Sequence, residues 1–139
     1  MRLAVLSDIH GNLEALEAVL LEIDRLGVES IVVLGDVVGY GPDPRACIYR
    51  LREAQASCVL GNHDEALVDP SHVLELNAVA RDTLLRSREM VSEEELDYLR
   101  TFAFRHVEGE GVFTHANPIL PEQWQHLHLF EHVQWCLEE

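Results

Sequence analysis

Four short polar clusters hold the side chains best suited to chemistry: Asp8-Ile9-His10, Gly35-Asp36, Gly61-Asn62-His63-Asp64 and Thr114-His115. Each directly follows an apolar run. Carboxylate, amide and imidazole groups supply the oxygen and nitrogen donors that divalent cations take. Two such cations about 3.5 to 4 Å apart can polarise a phosphoryl group, generate a hydroxide nucleophile and hold the entering and leaving oxygens in line. A site of that kind needs a bridging carboxylate. Asp36 stands at the centre of the set and is the candidate, with Asp8 and His10 completing one metal's shell and Asn62 and His115 the other's. Taken singly, each cluster also reads as a turn or a cap, because Gly, Asn and Asp tolerate positive φ, and His115 also reads as a hydrogen-bonded surface histidine. The force lies in the conjunction and its order.

These side chains can meet only if the elements before them end at one place. Leu3-Ala4-Val5-Leu6 is a continuous apolar run, the pattern of a strand buried on both faces. Asn12 as N-cap, then Leu13, Leu16, Leu20 and Ile23 with Gly27 as the stop, predict a helix over 13–26. Ile31-Val32-Val33-Leu34 is a second buried strand, ending in Gly35-Asp36. Strand, helix and strand make a βαβ unit, whose right-handed crossover brings both strand ends to one edge of a parallel sheet. Asp8, His10 and Asp36 then emerge together. Gly39, Gly41, Pro42 and Pro44 mark a loop, a short helix follows over 45–53, and Cys58-Val59-Leu60 is a third strand running into the Gly-Asn-His-Asp cluster. Val73, Leu76, Ala80 and Leu84 keep a helical period across 71–87, and Ser92 with Glu95 forms a capping box. Residues 102–107 and 112–114 read as strands, the second delivering His115. A last helix from near Pro121 carries Trp124, Leu127, Phe130 and Leu137.

With 139 residues, 47% of them hydrophobic and 25% charged, the sequence fits a single domain over 1–139 with its own core. Its net charge of −15 disfavours nucleic-acid backbones and anionic membranes and suits divalent cations. The three cysteines Cys47, Cys58 and Cys136 are an odd number without close pairing, so they read as packing residues of a reducing compartment. The first apolar run leads directly into Asp8 and His10, unlike a secretory signal, and no run approaches the ~20 apolar residues of a membrane-spanning helix. The expectation is a soluble, cytoplasmic protein that does not engage membranes.

Taken together, Asp8-Ile9-His10-Gly11-Asn12, Gly35-Asp36, Gly61-Asn62-His63-Asp64 and Thr114-His115 resemble the successive signatures of the calcineurin-like metallophosphoesterase superfamily, across residues 3–118. The resemblance implies an α/β fold, an αββα sandwich with a dinuclear metal centre at the strand ends, and hydrolysis of phosphomonoesters or phosphodiesters. It implies Asp8 and His10 as ligands of the first metal, Asp36 as the bridge, and Asn62 and His115 as ligands of the second. His63 would contact the phosphate and protonate the leaving group, a role that imidazole suits near neutral pH. Mixed His, Asn and carboxylate ligands point to Mn, Fe or Zn ahead of an all-oxygen Mg site.

The sequence also departs from that pattern. The family closes its set with Gly-His-x-His on a later strand, and this motif does not occur here. The nearest imitation, His126-Leu127-His128 with His132, lies in a helical pattern, where residues two apart diverge; a solvated face is favoured over a His128–His132 metal pair. Family domains are longer, so the expectation is the first portion of such a domain without its C-terminal strands, with a partner-completed or degenerate chain as alternatives. An unpaired sheet edge would then favour a homo-oligomer. Gly35-Asp36 is followed by Val37-Val38-Gly39-Tyr40-Gly41 and not by the Asp-Arg-Gly of the family's protein phosphatases. Residues 39–44 resemble instead the small prokaryotic phosphoesterases, with Tyr40 either bordering the substrate pocket or packing. The expected function is a two-metal phosphoesterase acting on small phosphoesters through a metal-bridging hydroxide. The alternatives are a metal- or phosphate-binding chain without turnover, and an interaction domain whose clusters are turns.

Overall fold

The expected βαβ unit is present in the computed structural model, which describes residues 2–125 and 127–138. Strand β1 (Leu3–Leu6) pairs in parallel with β2 (Ser30–Val33), Leu3 opposite Ser30 and Leu6 opposite Val33. Helix α1 (Leu13–Arg25) crosses between them, and the Asn12 side chain accepts from the Ala15 amide at 3.1 Å. Helix α2 (Pro44–Glu53) makes the second crossover to β3 (Ser57–Cys58), with Val33 opposite Cys58. Proline opens α2 at no cost, because an amide in the first turn has no partner within the helix.

Sheet order is β1-β2-β3, so crossovers of one hand carry α1 and α2 to the same face. Arg50 ties them there, reaching Glu17 at 2.5 Å and Glu53 at 2.6 Å. Half-exposed ion pairs of this kind add little. The seam is held by burial of Leu16, Val33, Ile48 and Leu51, each worth about 1.5–3 kcal/mol when fully removed from water.

Other boundaries differ from the sequence expectation, each for a local reason. The strand expected over Cys58–Leu60 ends its ladder at Cys58, and only a single bridge from Val59 to Ala103 continues it. The third cluster, which also reads as a turn or a cap, is the cap, since helix α3 (Asn62–Val68) begins inside it. The helix expected over 71–87 is two elements, a 3-10 turn at Pro70–Glu75 and helix α4 (Ala78–Met90). Asn77 divides them by accepting from the Ala80 amide at 3.0 Å, a cap placed within what had read as one period.

The Ser92–Glu95 capping box does open α5 (Glu93–Leu99). Phe102 is buried in the core and is not part of a strand; the hairpin comprises β4 (His106–Glu108) and β5 (Gly111–Phe113). Near the end, Pro121–Gln123 is a 3-10 turn closed by Trp124 in the left-handed region, and helix α6 starts only at Phe130 (Phe130–Glu138). Trp124 and Leu127 therefore fall outside it. His128 precedes α6, so His128 and His132 do not share a helix face, while His126 lies outside the described residues.

Strand β1 is not buried on both faces. Among the described residues it is an edge strand, and Val5 is 49% exposed. No helix among the described residues is long and apolar enough to cross a membrane.

All three cysteines are free. Burial pushes the Cys47 thiol up to about 12, and the charges of Asp43, Glu14 and Glu17 act the same way. The reactive species is the thiolate. In the native protein at pH 8, iodoacetamide should therefore modify Cys136 well before Cys47, which should react only as fast as the chain unfolds. Mass spectrometry of timed samples checks this order.

Candidate metal centre

Beyond the strand ends, the loops after β1 and β2 remain zipped together. The Asp8 amide donates to the Gly35 carbonyl at 3.1 Å, that of His10 to Asp36 at 2.9 Å and that of Gly11 to Val37 at 2.9 Å. The two clusters are thus locked in register by main chain alone. This tight path requires positive φ at Asp8 (54°), His10 (49°) and Asp36 (55°), the left-handed region in which Asp and His are among the better-tolerated side chains.

The third cluster is fixed by two carboxylates that exchange backbone donors. Asp64, fully buried, accepts from the amides of Asp36 (2.8 Å), Val37 (2.9 Å), Val38 (3.2 Å) and Gly61 (3.1 Å). Asp36 reciprocates, its Oδ1 accepting from the His63 amide at 3.0 Å. Burial pushes the Asp64 carboxyl upward, reinforced by the Asp36 charge and opposed by the amide donors. The approach is close enough that a Cβ on Gly61 would lie 2.2 Å from the Asp36 amide nitrogen. Glycine at 35 and 61 serves backbone approach, as the sequence suggests, whereas Asp64 carried no expected role.

Oδ2 of Asp36 is the atom left facing the site. It stands 3.6 Å from His10 Nε2 and 3.6 Å from His115 Nε2, between the two imidazoles. Asp8 Oδ1 is 3.7 Å from His10 Nε2, and Asn62 Oδ1 is 3.2 Å from His115 Nε2. Five expected ligands from four separate segments therefore converge. Asp8, Asp36 and His115 also have donor atoms within 4.8 Å of one another, as do His10, Asp36 and His63. Proximity alone does not separate His63 from the ligands.

Tautomers decide what this cluster can hold. His10 Nδ1 lies 3.0 Å from the Val38 carbonyl oxygen and His115 Nδ1 lies 2.7 Å from that of Leu34. A carbonyl only accepts, so each Nδ1 carries a proton, and in the neutral ring that a metal takes each Nε2 would turn its lone pair inward. The two Nε2 atoms face Asp36 Oδ2 and, for His115, Asn62 Oδ1 as well. Neutral imidazole, amide oxygen and carboxylate together make a donor set that divalent cations take, so the residues fit a metal. His63 differs: its Nδ1 is buried without a hydrogen-bond partner, and burial holds its imidazole below the usual range, partly offset by Asp36.

The hairpin delivers His115, and the loop beyond it is held by buried Asn117, whose Oδ1 accepts from the amides of Ile119 (3.1 Å) and Leu120 (2.7 Å). Two aromatic rings flank the cluster. Tyr40 lies against His10 and His63, and Trp124 against His115, its indole N–H donating to Glu65 at 2.7 Å.

Comparison with known proteins gives this geometry its lineage. The family model for calcineurin-like phosphoesterase matches residues 1–138. The chain belongs to the calcineurin-like phosphoesterase family. It is 37% identical to an uncharacterized protein of Methanocaldococcus jannaschii over 129 residues, covering 90% of this chain and 53% of that one. It is 29% identical to the symmetrical bis(5'-nucleosyl)-tetraphosphatase of Ectopseudomonas mendocina, over 89% of this chain and 47% of that one. The crystal structure of a metallophosphoesterase from Sphaerobacter thermophilus superposes with a TM-score of 0.73 at 40% identity, over 87% of this chain and 49% of that one. The chain thus spans about half the length of these relatives. The mixed α/β architecture is that of the metallophosphoesterase fold.

Removing the Asp64 carboxylate orphans four buried amides, each costing about 1–3 kcal/mol. Asp64→Ala should lower unfolding stability by at least ~3 kcal/mol, and Asp64→Asn by less, since one amide oxygen still accepts. Urea titration of the three proteins measures the difference.

Proposed function

We propose that the chain carries the phosphoester-hydrolysing site of its family, with Asp8, His10 and Asp36 holding one divalent ion and Asp36, Asn62 and His115 a second. What supports this reading is the convergence of two imidazoles on Asp36 Oδ2, 3.6 Å from the Nε2 atoms of both His10 and His115. Mixed nitrogen and oxygen ligands suit Mn, Fe or Zn. Once bound, the pair would supply Lewis acidity toward the phosphoryl oxygens and a nucleophile drawn from water.

The chain's own residues set up the rest. Asp36 keeps Oδ2 available because Oδ1 is occupied by the His63 amide. Val38 and Leu34 carbonyls orient the two ligand imidazoles. His63 is the acid: burial holds its imidazole below the usual range and Asp36 works the other way, and a proton it takes from solvent along with the anionic substrate passes to the leaving oxygen as that oxygen's bond to phosphorus breaks. Small phosphoesters are the substrate class. The names of the symmetrical bis(5'-nucleosyl)-tetraphosphatase relatives put dinucleoside polyphosphates among the first to try. The free thiols suit the reducing cytoplasm.

Hydrolysis of bis(p-nitrophenyl) phosphate and p-nitrophenyl phosphate, with Mn²⁺ added after chelation, tests the reading. The wild-type rate should depend on metal, and Asp36→Asn or His63→Ala should lower it at least ~100-fold while circular dichroism stays unchanged. Unchanged rates in both variants overturn the assignment. Metal uptake with no turnover on either ester would instead make these 139 residues the binding portion of a longer site.

A further inference from the structure

We propose that Tyr40 determines specificity at this site, as an aromatic wall against which the organic group leaving phosphorus packs, favouring aryl and nucleoside esters over alkyl ones. The inference rests on the phosphoesterase reading above. The Tyr40 ring meets His10 edge-on at 4.8 Å between centroids and lies tilted against His63 at 5.0 Å. If His63 protonates the leaving oxygen, the group bearing that oxygen emerges beside His63 and therefore beside Tyr40.

Sequence and backbone agree with such a wall. Tyr40 is flanked by Gly39 and Gly41, so no side chain adjacent to it in sequence crowds the ring that meets His10 and His63. Gly39 itself is demanded by the histidine: at φ +90° its Cβ would fall 2.3 Å from His63 Nδ1. Tyr40 adopts φ +56°, a conformation that costs a residue with a bulky side chain about 1–2 kcal/mol. Helix α4 holds it there, the Tyr40 amide donating to Thr83 Oγ1 at 3.2 Å and the Tyr40 hydroxyl accepting from Asn77 at 3.3 Å. The residue is nevertheless 42% exposed. A ring fixed from behind, strained into place and open to solvent next to the acid is preorganised for contact with a ligand.

Phenylphosphonate and methylphosphonate separate this contact from chemistry, since they present the same headgroup and neither has an ester bond to hydrolyse. Isothermal titration of the Mn²⁺-supplemented chain should show phenylphosphonate binding roughly fivefold to tenfold tighter, the scale of one aromatic contact. Tyr40→Leu should bring that ratio to about one while leaving Mn²⁺ and inorganic phosphate affinities unchanged, and Tyr40→Phe should keep it. Retention of the ratio in Tyr40→Leu overturns the proposal, as does a parallel loss of Mn²⁺ or phosphate affinity, which would make Tyr40 structural. Equal binding of the two phosphonates by the wild type, with phosphate still bound, overturns the wall alone. Failure to bind any of the three overturns the phosphoesterase reading as well.

Discussion

Two aspartates that hold each other's backbone are the constraint on which the site depends. Asp64 gathers the amides of residues 36–38 and of Gly61, and Asp36 takes the amide of His63. The exchange welds the loop after β2 to the start of α3 and leaves one carboxylate oxygen, Asp36 Oδ2, facing the centre. Asp64 needs two short-armed acceptor oxygens to reach four donors. An isolated buried carboxylate would be costly, and this one is tolerated because its lone pairs are filled by main-chain donors.

The rest of the centre shares this dependence on rigid backbone. Five of the six described non-glycine residues with positive φ lie in or beside it: Asp8, His10, Asp36, Tyr40 and Trp124. Strained conformations cluster where surrounding structure over-determines them. Here the parallel ladder runs on past the strand ends through main-chain bonds, fixing the direction in which Asp8, His10 and Asp36 leave the chain. The imidazoles are then turned by carbonyls of that same loop, from Leu34 and Val38. The placement of Asp8, His10 and Asp36 is thus a property of the sheet edge more than of side-chain packing.

Much of this was legible in the sequence. Apolar runs ending in Asp8-Ile9-His10 and Gly35-Asp36 predict adjacent parallel strand ends, and the resemblance carried by all four clusters foretold the family. The helix start at Asn62 was not legible, because Gly-Asn-His-Asp has turn composition and the cap comes from the last of the four, Asp64 accepting from the Gly61 amide three residues back. Periodicity likewise merged the 3-10 turn with α4, since a 3-10 turn and an α-helix space their apolar residues alike over so short a run. The wider role of Asp64 and that of Gly39 had no local signal. Each answers to a residue more than 20 positions away, Asp64 to the amides of 36–38 and Gly39 to the ring of His63.

A chain spanning about half the length of these relatives nonetheless brings Asp8, His10, Asp36, Asn62 and His115 together around one carboxylate oxygen, Asp36 Oδ2. Electron paramagnetic resonance of the Mn²⁺-loaded chain, with elemental analysis of the same sample, shows whether this cluster holds a pair of ions. Two manganese ions per chain with the exchange-coupled signal of ions sharing a carboxylate, lost in Asp36→Ala, are the expected result. Substoichiometric manganese, or a spectrum of isolated ions that is indifferent to Asp36, would contradict it.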